Sequence, residues 1–136
     1  MKTILVIDDN DLVRKTVAAY LAREVKDSRV VTAQNGRDGA LILSAFPVDL
    51  VLTDLDMPVM DGAAFIKQAA KIDRHIPIFV MTGSRLDKEE EKDLSDLGVV
   101  QFFEKPFEYD ELTRMVSDAL FGTADWNATL RSAMNA

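Results

Sequence analysis

Five short apolar runs, Ile4–Ile7, Val30–Ala33, Leu50–Leu52, Ile78–Met81 and Val99–Phe103, do most to limit what this chain can fold into. A strand with one wet face alternates apolar and polar residues. Most of these runs do not alternate, which suits strands covered on both faces in a parallel sheet. Between them the apolar spacing becomes helical. Leu12, Val13, Val17, Tyr20, Leu21 and Val25 form one stripe, and Ala40, Leu41 and Ser44 with apolar neighbours a second. Phe65, Ile66, Ala69 and Ile72 form a third, and Leu112, Met115, Val116, Ala119 and Leu120 the last. Asn35-Gly36, Pro47, Pro58, Asp61-Gly62 and Pro77 punctuate the joins. Five strand–helix units predict one doubly wound α/β domain, for which 136 residues suffice.

The segment Asp87–Leu97 is the exception. Its apolar anchors are only Leu86, Leu94 and Leu97, so a solvated surface helix is expected there. Few buried contacts also mean low local stability, the usual condition of an element that moves.

Ligands of an open α/β sheet bind outside the carboxyl ends of its strands. Strand one runs into Asp8-Asp9, strand three into Asp54, strand four into Thr82 and strand five into Lys105-Pro106. Parallel topology brings these ends to one edge, although they are far apart in the chain. Three carboxylates that close need a counter-charge. Lys105 supplies one. A hard divalent cation supplies the other, because oxygen donors without His or Cys select Mg²⁺ or Mn²⁺. Beside a metal and a lysine, Asp54 is placed to act as a nucleophile on phosphorus. Asp11 falls where a cap of the first helix is expected and is left out of the site. The lone His75 has no partner at metal-ligand spacing and reads as a surface loop residue.

The bulk composition narrows the classes further. With 23 acids against 16 bases, the net charge of -7 disfavours direct binding to nucleic acid or an anionic membrane. The absence of Cys excludes disulfides and thiolate chemistry. The opening MKTILVIDD is too short in its apolar part for a secretion signal, and no apolar stretch approaches the roughly 20 residues of a membrane span. A cytoplasmic location is the expectation.

The stretches LVIDDND, VDLVLTDLDMPVMDG, IPIFVMTGS and GVVQFFEKPF together resemble the response-regulator receiver domain of bacterial two-component signalling, including its single-domain chemotaxis-type members. The resemblance spans residues 4–107 and extends through the last helical pattern to about Phe121. It implies a flavodoxin-like fold with strand order 2-1-3-4-5. It implies that Asp54 is the phosphoacceptor, that Asp9 binds Mg²⁺ directly and Asp8 largely through water, and that Asp56 offers its backbone carbonyl to the metal. Thr82 would hydrogen-bond the phosphoryl group, Lys105 would pair with it, Phe102 would be the switch aromatic, and the Lys105–Pro106 peptide would be cis. The implied partners are a sensor histidine kinase or phosphotransfer protein upstream and an output protein or output domain downstream. Gly83 replaces a commoner Ala, and Asp56 adds a carboxylate where the family varies.

Residues 1–121 are expected to form the receiver. Residues 122–136 form a tail, either a linker helix with Trp126, Leu130 and Met134 on one stripe, able to support a homodimer, or a disordered segment. The expected function is a phosphorylation-activated switch that takes up and loses its own phosphoryl group without being a turnover enzyme. Two alternatives stand beside it. Asp54-Leu55-Asp56 also resembles the nucleophile motif of haloacid-dehalogenase-like phosphatases, but those carry it on the first strand. A phosphorylation-independent pseudo-receiver is disfavoured because every site position holds a competent residue.

Overall fold

The computed structural model describes residues 1–57, 60–73 and 75–122. Pro58 and the Trp126, Leu130 and Met134 stripe lie outside them. The elements alternate along the chain: β1 (Lys2–Ile7), α1 (Asp11–Glu24), β2 (Ser28–Ala33), α2 (Gly36–Ala45), β3 (Leu50–Asp54), α3 (Gly62–Ile72), β4 (Ile78–Thr82), α4 (Lys88–Asp96), β5 (Val99–Glu104) and α5 (Tyr109–Phe121). The strands form one parallel sheet in the order β2-β1-β3-β4-β5. This is the flavodoxin-like arrangement that the family resemblance implies.

The sheet carries two cores. Ile4 and Val6 of β1 face α1 and α5, with Leu50, Leu52, Phe79, Met81 and Phe103. Leu5 and Ile7 face the other way, with Val51, Val80, Phe65 and Ile66. Each strand thus needs apolar residues in both registers, which is why β1, β3 and β4 read as unbroken apolar runs. The edge strands β2 and β5 are only partly buried.

Among the described residues, side-chain caps start four of the five helices. Asn10, Asn35, Asp61 and Asp87 each accept a hydrogen bond from a backbone N–H three residues on. Glu90 returns the bond to Asp87, completing a capping box on α4. Here the expectation for Asp11 is corrected: Asn10 is the cap, and Asp11 is the first helical residue, paired with Arg14.

Two helices differ in phase from the stripes their spacing predicts. Leu12 is 76% exposed. On α2, Leu41 is 64% exposed and Ser44 is also outward, whereas Gly36, Gly39, Ala40 and Leu43 face the core. The cause on α2 is close approach: a Cβ on Gly39 would run into Ile7 Cδ1, so apart from Leu43 the buried face of α2 is built from the smallest residues and leaves little hydrophobic signal. Gly122 closes α5 by donating its N–H to Asp118 O at 2.8 Å. His75 is exposed in a turn, where its N–H donates to Asp73 Oδ1. Among the described residues no helix is long and apolar enough to cross a membrane.

Candidate functional site

The strand order reverses between β1 and β3, because β1 leads outward to β2 and the chain then returns to β3 on the other side. The helices on either flank leave a crevice at that reversal. Asp8, just after β1, and Asp54, the last residue of β3, lie there, and Asp9 stands at its exposed rim. One carboxylate oxygen from each of the three can be chosen so that all lie within 4.8 Å of one another.

Lys105 reaches in from the end of β5. Its Nζ donates to Asp8 Oδ2 at 3.1 Å and to Asp54 Oδ2 at 3.4 Å. Its backbone N–H donates to Thr82 O at 2.7 Å, tying the ends of β4 and β5 together. The Lys105–Pro106 peptide is cis. The remaining oxygens of the two buried acids are also used. Asp8 Oδ1 accepts from Asn10 N at 2.9 Å, and Asp54 Oδ1 accepts from Asp56 N at 3.3 Å. The Asp56 side chain is exposed, so this residue touches the site through its backbone.

The electrostatics follow from burial. Asp8 and Asp54 are 0% and 5% exposed. Burial, followed by the negative charge of Asp8, pushes the Asp54 carboxyl above its usual range; Lys105 and the Asp56 N–H pull the other way. Burial also works against the Lys105 ammonium, but the hydrogen bond and charge of Asp8, followed by those of Asp54, outweigh it and hold that group above its ordinary value. Three carboxylates against one ammonium leave two negative charges uncompensated. A divalent cation with oxygen preference matches that deficit, the donor set and the spacing.

Thr82 ends β4 with its hydroxyl turned into its own turn, donating to Ser84 O at 2.8 Å and accepting from Ser84 N at 3.1 Å. A cavity of about 150 Å³ lies between Thr82, Leu86 and the half-buried Phe102. Beside it, a cleft of about 940 Å³ opens between α3 and α4, reached from Asp56 and Thr82.

Two contributors escaped the sequence reading. Arg14 is buried within α1; its Nη1 donates to Asp8 O at 2.9 Å and its Nη2 to Asp11. It braces the turn that carries Asp8 and Asp9. The signal was a basic residue between Val13 and Val17, one helical turn after an acid. The second is Gly62, where a Cβ would lie 2.5 Å from Asp54 O, so the loop after β3 can press back against the site only with glycine there.

The fold and this acid–lysine edge define a class. The response regulator receiver domain family matches residues 4–117, and the chain belongs to that family, the receiver domains of two-component signalling. Among curated proteins, the chain is 33% identical to the transcriptional regulatory protein GlrR of Escherichia coli, over 86% of this chain and 26% of that protein. It is 28% identical to the regulatory protein VirG of Agrobacterium fabrum, over 96% of this chain and 56% of the relative. The chain thus spans between a quarter and somewhat over half of these relatives. Among solved structures it resembles a response regulator receiver protein from Pseudomonas putida (29% identity, TM-score 0.76, covering 86% and 96% of the two chains). It also resembles TrrA of Thermotoga maritima, solved with Mg²⁺–BeF (28%, TM-score 0.75, covering 88% and 100%).

Proposed function

We propose that this chain is a phosphorylation-activated signalling switch that accepts a phosphoryl group on Asp54 from a histidine kinase or phosphotransfer protein. The observation that carries this reading is the convergence of Asp8, Asp54 and Lys105 from three strand ends, with Asp9 and the Asp56 backbone alongside. A carboxylate oxygen of Asp54 attacks phosphorus and an O–P bond forms as the P–N bond to the donor imidazole breaks; the electron pair of that bond goes to the imidazole nitrogen, which takes a proton from solvent. Asp8, Asp9, Asp54 and the Asp56 carbonyl would hold Mg²⁺, which supplies charge neutralisation for the phosphoryl oxygens; Mn²⁺ has the same oxygen preference. Lys105 neutralises a further oxygen, and Arg14 keeps the Asp8–Asp9 turn in place. TrrA, a relative of similar fold, was solved with Mg²⁺–BeF.

Thr82 then leaves Ser84 and donates its hydroxyl to the new phosphoryl group. Phe102 follows into the adjoining cavity, and the α4–β5 face changes. A partner protein, or an output domain reached through residues 122–136, reads that face, with residues 1–121 acting as the receiver. The curated relatives carry regulatory names and are longer than this chain, which supports such an output. The test is intact-mass measurement after incubation with acetyl phosphate. One phosphoryl group should add with Mg²⁺ and none after chelation; equal uptake in both would overturn the role of the metal.

A further inference from the structure

Four helices begin with a side-chain cap, but α5 does not: Glu108, at its N-cap position, makes no side-chain capping bond. An aromatic stack stands at the start of α5 instead. Tyr109, its first residue, stacks on Tyr20 of α1 with ring centroids 4.6 Å apart and planes at 17°. The row continues inward from Tyr109 to Phe107 (5.4 Å), Phe103 (5.9 Å) and Phe79 (5.8 Å) in the core. On its outer side the Arg23 guanidinium lies 4.7 Å from the Tyr20 ring centroid, a cation–π contact one turn along α1.

Lys105 sits in the middle of this row, two residues after Phe103 and two before Phe107. A lysine side chain has four rotatable methylenes, so its ammonium is placed only as well as its backbone is held. Upstream, the bond from Lys105 N to Thr82 O holds it. Downstream, Phe107 and Tyr109 are the anchors, and Tyr20 is what Tyr109 rests on. Tyr20 belongs to the helix that begins at the Asp8–Asp9 turn, so the stack ties both charged partners of the site to one frame.

We propose that Tyr20 and Tyr109 are positioning residues for the Lys105 ammonium during phosphoryl transfer to Asp54. The inference rests on the reading of Lys105 as the cation that pairs with the phosphoryl group. A stack that merely stabilised the fold would lower stability without acting through Lys105.

The test is a mutant cycle in the full chain. Tyr20→Ala and Tyr109→Ala, with Tyr20→Phe and Tyr109→Phe as ring-preserving controls, are made with Lys105 intact and with Lys105→Ala. The rate of Asp54 phosphorylation is measured with acetyl phosphate in excess Mg²⁺, together with the thermal midpoint. With Lys105 intact, each Ala variant should be slower by about three- to tenfold, the range a stacked aromatic pair spans, and each Phe variant within about twofold of the parent. With Lys105→Ala, the tyrosine changes should slow the reaction no further, although the midpoint falls by the same amount as before. An equal slowing in both backgrounds, or no slowing with Lys105 intact, overturns the proposal. Tyr20→Leu, which keeps apolar bulk without the ring, replaces an Ala variant that does not fold. If wild type takes up no phosphoryl group, the acceptor reading itself fails. The NMR signals of the Lys105 side chain then decide the positioning claim: a shift in the ring-deleted variants and none in the Phe variants supports it, and no shift in either overturns it.

Discussion

Replacing Asp54 with Asn should make the metal-free protein more stable. Asp54 and Asp8 offer carboxylate oxygens within 4.8 Å of each other, a repulsion of about 3–4 kcal/mol at an effective dielectric of about 20. The exposed Asp9 adds about 1 kcal/mol in water-like surroundings. Against this, the Lys105 ammonium at 3.4 Å from Asp54 contributes an attraction of about 5 kcal/mol on the same scale. The charge–charge terms therefore nearly cancel. What remains is the cost of burying the Asp54 carboxylate, several kcal/mol for an ion and partly offset by the Asp56 N–H, which Asn does not incur. The expected gain at neutral pH is about 1–3 kcal/mol.

The pH dependence carries the same sign. Because the folded protein holds the Asp54 carboxyl above its ordinary 3.8, it binds the proton more tightly than the unfolded chain does. The contribution of Asp54 is complete below 3.8 and is lost as pH rises from there through the folded value. The advantage of Asp54→Asn should therefore be absent in acid, grow above pH 3.8 and level off once Asp54 is ionised in the folded state. Urea unfolding in chelator, repeated from acid to neutral pH, measures it. Adding Mg²⁺ at ten times its dissociation constant should restore about 1.4 kcal/mol to wild type and less to the variant. A variant less stable than wild type in chelator at neutral pH would refute the reasoning.

Asp9→Asn should weaken Mg²⁺ binding more than Asp56→Asn, since Asp56 meets the site through its backbone; NMR titration of both decides, and equal losses would contradict the assignment. Helix α4, with Leu94 as its one buried residue, should exchange amide hydrogens faster than α1, α3 or α5, and a phosphoryl mimic should change its protection. Unchanged exchange over residues 84–105 would argue against switching on this face. Deleting residues 123–136 should leave Asp54 phosphorylation intact, and loss of uptake in a folded truncation would move the proposed domain boundary.

The sheet was legible because burial on both faces leaves an unmistakable trace: Leu50 to Leu52 and Ile78 to Met81 admit no polar residue. The site was legible for a related reason, because a parallel sheet delivers residues that follow successive strands to one edge. Less visible was anything carried by small or turned-away groups. The buried face of α2 runs through Gly36, Gly39 and Ala40, so periodicity favoured the exposed Leu41. Asn10 and Asp11 are both good caps, and only the backbone decides between them. The buried Arg14 drew no reading from the sequence, because nothing in composition reveals a bond to the Asp8 carbonyl. The Thr82 hydroxyl can rotate, and its present bond to Ser84 is a property of the turn rather than of the residue type.

The most direct test of the central claim is to locate the phosphoryl group. The protein is treated with acetyl phosphate and Mg²⁺, the acyl phosphate is reduced with borohydride, and peptides are mapped for the aspartate converted to homoserine. Conversion at Asp54 alone, absent in Asp54→Asn, is the predicted result. Conversion at Asp8, Asp9 or Asp56 in wild type, with Asp54 untouched, would contradict it.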